Sequence, residues 1–139
     1  VLPMEVAADL RAHTIVIPIP DSVFDDDGSG ASSTAAEGAF LFYAERDTIV
    51  DAAHFICNVT DASGDITLNT GSTGVAAAGT AISDTITPNA AGVVKAFTLT
   101  ETANLIPAGN WIGIEHDGDD DSETLAGCMV QLRVRTIRK

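Results

Sequence analysis

Apolar and polar residues alternate along most of this chain, which is the pattern of β-strands that bury one face. The clearest alternation spans residues 127–137. It predicts that Cys128, Val130, Leu132 and Val134 point inward, and that Met129, Gln131, Arg133 and Arg135 point outward. A second alternating segment, residues 12–19, places Ile15, Ile17 and Ile19 on one face. Pro18 within it cannot donate a backbone hydrogen bond, so we expect an edge strand there.

Shorter apolar segments bounded by Gly, Asp, Ser and Pro predict further strands at residues 39–44, 48–60, 66–70, 91–100 and 111–116. In the first of these, Phe40 and Phe42 are expected to face away from Leu41 and Tyr43. The Ser-Gly turn at 61–65 predicts a hairpin between its two flanking strands. Seven or eight strands with no long helical pattern indicate an all-β fold, a jelly-roll-like antiparallel β-sandwich.

The length of 139 residues fits a single domain, residues 1–139, with 45% hydrophobic residues to form a core. Residues 1–11 are a candidate extended N-terminal arm. Residues 21–38 are rich in Asp, Gly, Ser and Ala, and we expect them to form a long acidic loop.

The net charge of −13 limits the classes of partner. Nucleic acids and anionic membrane surfaces both require Lys and Arg, so neither is an expected partner. Four of the seven basic residues nevertheless lie at the C-terminal end: Arg133, Arg135, Arg138 and Lys139. We expect this basic end to dock on an acidic surface of another subunit or a partner, although pairing with nearby carboxylates explains it equally well. The apolar residues Val1, Leu2, Pro3 and Met4 are a second candidate docking element.

Two Asp-rich segments resemble parts of a calcium-binding loop. Asp25 and Asp27 alternate in one segment, and Asp117, Asp119 and Asp121 alternate in the other. Neither has the acidic residue at the twelfth position that completes such a loop. We therefore expect solvated loops and no bound metal or cofactor, with the alternative that the two loops share a weakly bound divalent ion if they meet in space.

The residues that could support catalysis are scattered. His13, His54 and His116 each lie in or beside a predicted strand, and Asp51 and His54 are expected on opposite faces of theirs. No nucleophile, base and oxyanion donor occur together in a known motif, so the sequence does not predict an enzyme.

The two cysteines are predicted to be small buried core residues. Cys57 would share a face with Phe55 and Val59. A disulfide between Cys57 and Cys128 stays open, because sequence alone does not give connectivity.

The order of features from Tyr43 to Ile137 resembles small β-sandwich proteins that decorate or cement the capsids of tailed viruses, and some head-fibre domains. An Ala-rich strand, a turn and ITL are followed by a Gly/Thr/Ala-rich stretch, FTLT, the segment 105–114 with its Gly-Asn turn, and a long terminal strand. The first 37 residues have no counterpart in this resemblance.

The resemblance implies a non-enzymatic structural protein on the outer surface of a virion. It would bind major capsid protein subunits and bridge them, commonly as a homotrimer. The alternative is a carbohydrate- or receptor-binding module of a fibre or surface protein, in which Trp111 beside Tyr43 would provide a stacking surface for a sugar.

The acidic composition predicts a dependence of stability on salt. Asp outnumbers Glu, and Lys occurs only twice, a composition that suits a marine or salt-loving source. Added NaCl screens repulsion among the carboxylates, so we expect the free energy of unfolding to rise with NaCl concentration in denaturant titrations. Stability that does not rise with NaCl would contradict this interpretation.

Overall fold

Two antiparallel sheets pack face to face, so the fold is the all-β sandwich that the alternation predicts. The computed structural model describes residues 12–24, 37–59, 65–117 and 125–137. Within these ranges there are two short 3₁₀ helices, Asp21–Val23 and Ala76–Ala78, and nine strands. The strands are β1 (His13–Ile19), β2 (Glu37–Tyr43), β3 (Thr48–Ile56), β4 (Asp65–Gly71), β5 (Thr80–Ala81), β6 (Lys95–Ala96), β7 (Leu105–Ile106), β8 (Trp111–Asp117) and β9 (Cys128–Thr136).

The strand order is that of a jelly roll, in which a long hairpin of paired strands folds into two sheets. One sheet, here called sheet A, has the order β1-β9-β3-β6, with β7 also paired to β3, and the other, sheet B, has the order β2-β8-β4-β5. The pairs β1·β9, β2·β8, β3·β6 and β4·β5 are nested like the rungs of one long hairpin. Rolling that hairpin adds the pairs β9·β3 and β8·β4, which gives the jelly-roll arrangement.

The core lies between the sheets and is aliphatic. Phe55, Val130 and Leu132 from sheet A meet Leu68, Ile112 and Ile114 from sheet B, and all six are essentially fully buried. Burying one such side chain contributes about 1.5–3 kcal/mol. The predicted alternation of β9 is confirmed at every position from Cys128 to Val134. The prediction of an edge strand at 12–19 is also confirmed, because β1 ends the sheet and Pro18 is exposed.

A bulge in β2 overturns the predicted facing of its aromatic residues. The register with β8 shifts between Phe40 and Phe42. The extra residue, Leu41, moves the following side chains to the opposite face. Phe40 is therefore 58% exposed, whereas Phe42 packs against the core. The prediction that the two rings share a face was wrong for this reason.

A second bulge, in β3, changes the predicted relation of Asp51 and His54. The register with β9 shifts between Val50 and Ala52, so Asp51 is the extra residue. Val50 and Ala53 both point into the core, and Asp51 joins His54 on the outer side of the sheet. The prediction of opposite faces was wrong because strict alternation does not survive an inserted residue.

One predicted connection was wrong. β3 and β4 belong to different sheets, so they do not form a hairpin. Of the predicted loop 21–38, residues 25–36 lie outside the described residues; the 3₁₀ helix Asp21–Val23 and Phe24 precede them, and residues 37 and 38 belong to β2. Phe24 is fully buried, with its ring 5.3 Å from that of His116.

No helix in the described part of the chain is long and apolar enough to cross a membrane.

The burial of Phe24 predicts that the segment 21–24 contributes to stability. Phe24→Ala should lower the free energy of unfolding by about 3–5 kcal/mol, because it leaves a cavity beside His116. Val75→Ala, at a position 62% exposed, is the matched control and should change it by less than about 0.5 kcal/mol. Equal effects of the two substitutions in urea titrations would show that Phe24 is not a core residue.

Candidate functional site

The outer face of sheet A is the surface that combines the predicted basic residues with exposed apolar side chains. Along β9, Met129, Gln131 and Arg133 are exposed and alternate with buried neighbours. Across the β1–β9 register, Pro18 lies beside Met129, Val16 beside Gln131 and Thr14 beside Arg133. These residues together with Arg135 and Asp51 are called the outer strip below.

The outer strip is apolar at one end and cationic at the other. Val16 is 52% exposed and Met129 36% exposed, and the two lie on neighbouring strands, so together they form an apolar surface. Arg133 and Arg135 lie further along β9, so the strip extends for about 20 Å at ~3.3 Å per residue. The sequence indicated the arginines, whereas the apolar end was not recognised, although Met129 and Val16 at outward positions were the available signal.

The two arginines of the strip differ in their pairing. Arg135 donates from Nε and from a terminal nitrogen to the two carboxylate oxygens of Asp51, at 2.7 and 2.9 Å. These hydrogen bonds, and then the charge of Asp51, raise the pKa of Arg135 further above its ordinary value. Among the residues that the structure describes, Arg133 forms no ion pair. Local pairing therefore accounts for Arg135, and Arg133 is the cation of the strip that stays available.

The cationic end is also where the described chain begins and ends. His13 lies opposite Val134 in neighbouring antiparallel strands, so residues 12 and 137 leave sheet A side by side. The candidate docking residues Val1, Leu2, Pro3, Met4, Arg138 and Lys139 lie outside the described residues. Residues 12 and 137, the described residues nearest to them in sequence, lie at the end of sheet A that carries Arg133 and Arg135.

The Asp-rich segments lie mostly outside the described residues too: Asp25, Asp27, Asp119 and Asp121 are not described, and Asp117 is described only as the last residue of β8. Within the described ranges, no group of His, Cys, Asp or Glu side chains is arranged to hold a metal ion. The three histidines lie apart: His13 is exposed at the start of β1, His54 lies on the outer side of sheet A, and His116 is buried in the core.

The cysteines are buried as the sequence predicted, and both thiols are free. Cys57 shares the inward face with Phe55, but Val59 is 48% exposed because β3 ends at Ile56. Burial raises the pKa of both thiols, that of Cys128 to about 12. The two side chains are hydrogen-bonded to each other.

The outward side of sheet B carries Trp111, which is covered and not a binding surface. Tyr43 lies opposite Trp111 in the β2–β8 register, which confirms that the two residues are neighbours. The indole is nevertheless only 8% exposed, because the segment containing the second 3₁₀ helix lies over it. The ring rests against Gly71, Gly79 and Gly113, where an added Cβ would lie 2.5–3.1 Å from ring atoms. The ring of Phe40 meets its edge with 5.1 Å between centroids.

No protein-family model, no curated protein and no solved structure matches this chain.

The covered indole predicts the fluorescence of the protein, which has a single tryptophan. Emission should be blue-shifted in the folded state, weakly quenched by iodide, and shifted to the red on unfolding. Gly79→Ala should weaken this shielding and lower stability by about 1–3 kcal/mol, since its methyl group would press on the indole and on the Thr70 carbonyl. Strong iodide quenching in the folded wild-type protein would show that Trp111 is available for stacking.

Proposed function

We propose that this chain is a non-enzymatic structural protein that decorates and cements an assembled virus capsid by bridging major capsid protein subunits. Its location would be the outer capsid surface of a tailed virus, and its partners would be the major capsid protein and further copies of itself in a homotrimer. The observation that carries the proposal is the outer strip of sheet A, with an exposed Arg133 that forms no ion pair among the described residues and that lies at the end of the sheet where residues 12 and 137 are found.

The fold supports the proposal at the level of class. Jelly rolls form many viral capsid domains, but they also form lectin and cupin domains, so the architecture alone does not select a function. The alternative of a sugar-binding module depended on Trp111, whose ring is covered. Tyr43 and Phe40 beside it are exposed, so an aromatic surface without Trp111 is what this alternative would use.

The size of the outer strip indicates how it would act. Three strands about 4.8 Å apart and about 20 Å of β9 give a surface of roughly 300 Å². A stable, specific interface needs about 800 Å² from each partner. The strip would therefore supply only part of the contact, and the chain ends that leave beside it are the natural source of the rest. A trimer would add further binding strength through effective concentration.

The charges of the strip indicate the chemistry of its partner surface. The chain as a whole carries −13, so a close approach to another acidic protein is unfavourable except at a local cationic region. Arg133 provides such a region, and Val16 and Met129 beside it provide apolar contact. The matching surface on a capsid subunit would carry a carboxylate next to an apolar patch.

Co-sedimentation with assembled shells of the major capsid protein encoded beside this chain tests the proposal. The wild-type chain should pellet with expanded shells, and Arg133→Glu should bind roughly tenfold more weakly, with a smaller dependence on salt. Arg46→Glu is the matched control, because it makes the same charge change at an exposed position between β2 and β3.

The possible results test two claims separately: that the chain binds capsids, and that it binds them through the outer strip. A wild-type chain that does not pellet with the shells and is monomeric in solution would overturn the capsid function. Binding that survives Arg133→Glu but is lost with Arg46→Glu would place the contact away from the outer strip. Circular dichroism of each variant verifies that it is folded before binding is compared.

A further inference from the structure

The two cysteines lie next to each other where the regular pairing of β3 with β9 ends. Ile56 pairs with Met129, and Cys57 and Cys128 are the next residues of the two segments. The pairing is irregular beyond them, because the N–H groups of Asn58 and Val59 both donate to the Ala126 carbonyl. Both side chains point into the core, and they are 2% and 4% exposed.

Contacts of the backbone and of the side chains show how the pair is arranged. The Cys57 carbonyl accepts a hydrogen bond from the Gly92 N–H at 2.9 Å. The two thiols are near enough for a hydrogen bond between them to lower the pKa of Cys57 and raise that of Cys128. Opposed residues of antiparallel strands have Cα atoms about 4.5–5.5 Å apart, which is within the range of about 4.4–6.8 Å that a disulfide spans.

We propose that Cys57 and Cys128 form a cross-strand disulfide when the chain folds in the presence of a small-molecule disulfide such as oxidised glutathione. The thiolate of one cysteine attacks the oxidant and releases one thiol, which gives a mixed disulfide. The second cysteine then displaces the other thiol and closes the protein disulfide. The protein loses two electrons and two protons, and the oxidant becomes two thiols.

The burial of the pair determines when this reaction can occur. The thiolate is the attacking form, and burial raises the pKa of both thiols in the folded state, while Cys57 and the charge of Asp21 raise that of Cys128 further. Oxidant also cannot reach side chains that are almost fully covered. The reaction therefore belongs to folding or to transient opening of the start of β9, and the folded sandwich then protects whichever redox state it has enclosed.

The bond would close the chain from residue 57 to residue 128, which includes every strand from β4 to β8. A crosslink over a loop of this length strongly restricts the unfolded chain. It would join the two strands at the centre of sheet A, independently of whether the outer strip binds a capsid.

Refolding from denaturant with oxidised glutathione tests this proposal. The wild-type chain should become a monomer without titratable thiols, lighter by two hydrogen atoms, with residues 57 and 128 in one linked peptide. Its melting temperature should exceed that of the same protein in dithiothreitol by about 10 °C. The same oxidant added to the folded, reduced protein should act far more slowly.

Cys57→Ala, Cys128→Ala and the double variant are the controls. Each single variant should end as a glutathione adduct or an intermolecular dimer, and the melting temperature of the double variant should not depend on dithiothreitol. The proposal is overturned if the refolded wild-type chain carries two glutathione adducts, or if its oxidised form melts below its reduced form.

Discussion

The whole structure depends on the nested pairing of strands that are far apart in sequence. β1 pairs with β9 and β2 with β8, so segments far apart in sequence must meet before either sheet is complete. The paired strands form a long two-stranded ribbon with one apolar face. That face is exposed to water until the ribbon folds over and the apolar faces of the two sheets pack together. Most contacts are therefore long-range, and loop-closure entropy must be overcome before they stabilise the fold, which predicts slow folding.

This pairing also explains why the candidate site lies where it does. β9 is the central strand of sheet A, flanked by β1 and β3, and its outward side chains have neighbours on both sides. Arg133 and Met129 are therefore part of a continuous surface that extends over three neighbouring strands. The same pairing brings residues 12 and 137 to one end of sheet A and places Cys57 and Cys128 side by side at the other end of the β3–β9 ladder, so the docking surface and the thiol pair are consequences of one arrangement.

Two β-bulges and three glycines interrupt the regular strand pattern, and they determine which side chains are exposed. The bulge in β3 turns Asp51 outward, where it binds Arg135, and Arg133 has no ion-pair partner within the described ranges. On sheet B, three glycines clear the space in which Trp111 lies, so an aromatic ring that points away from the core is still buried. Exposure on this protein therefore follows from backbone irregularities as much as from alternation.

The sequence by itself determined the strands of β1, β8 and β9, the inward set from Cys128 to Val134, and the all-β class, because alternation with period two is a local property. Only the tertiary structure decided that β3 and β4 lie in different sheets, that Phe24 belongs to the core, and that Trp111 is covered. These outcomes depend on which distant strands meet and where one residue is inserted. No local pattern encodes them, since a bulge reverses every later side chain without changing the composition.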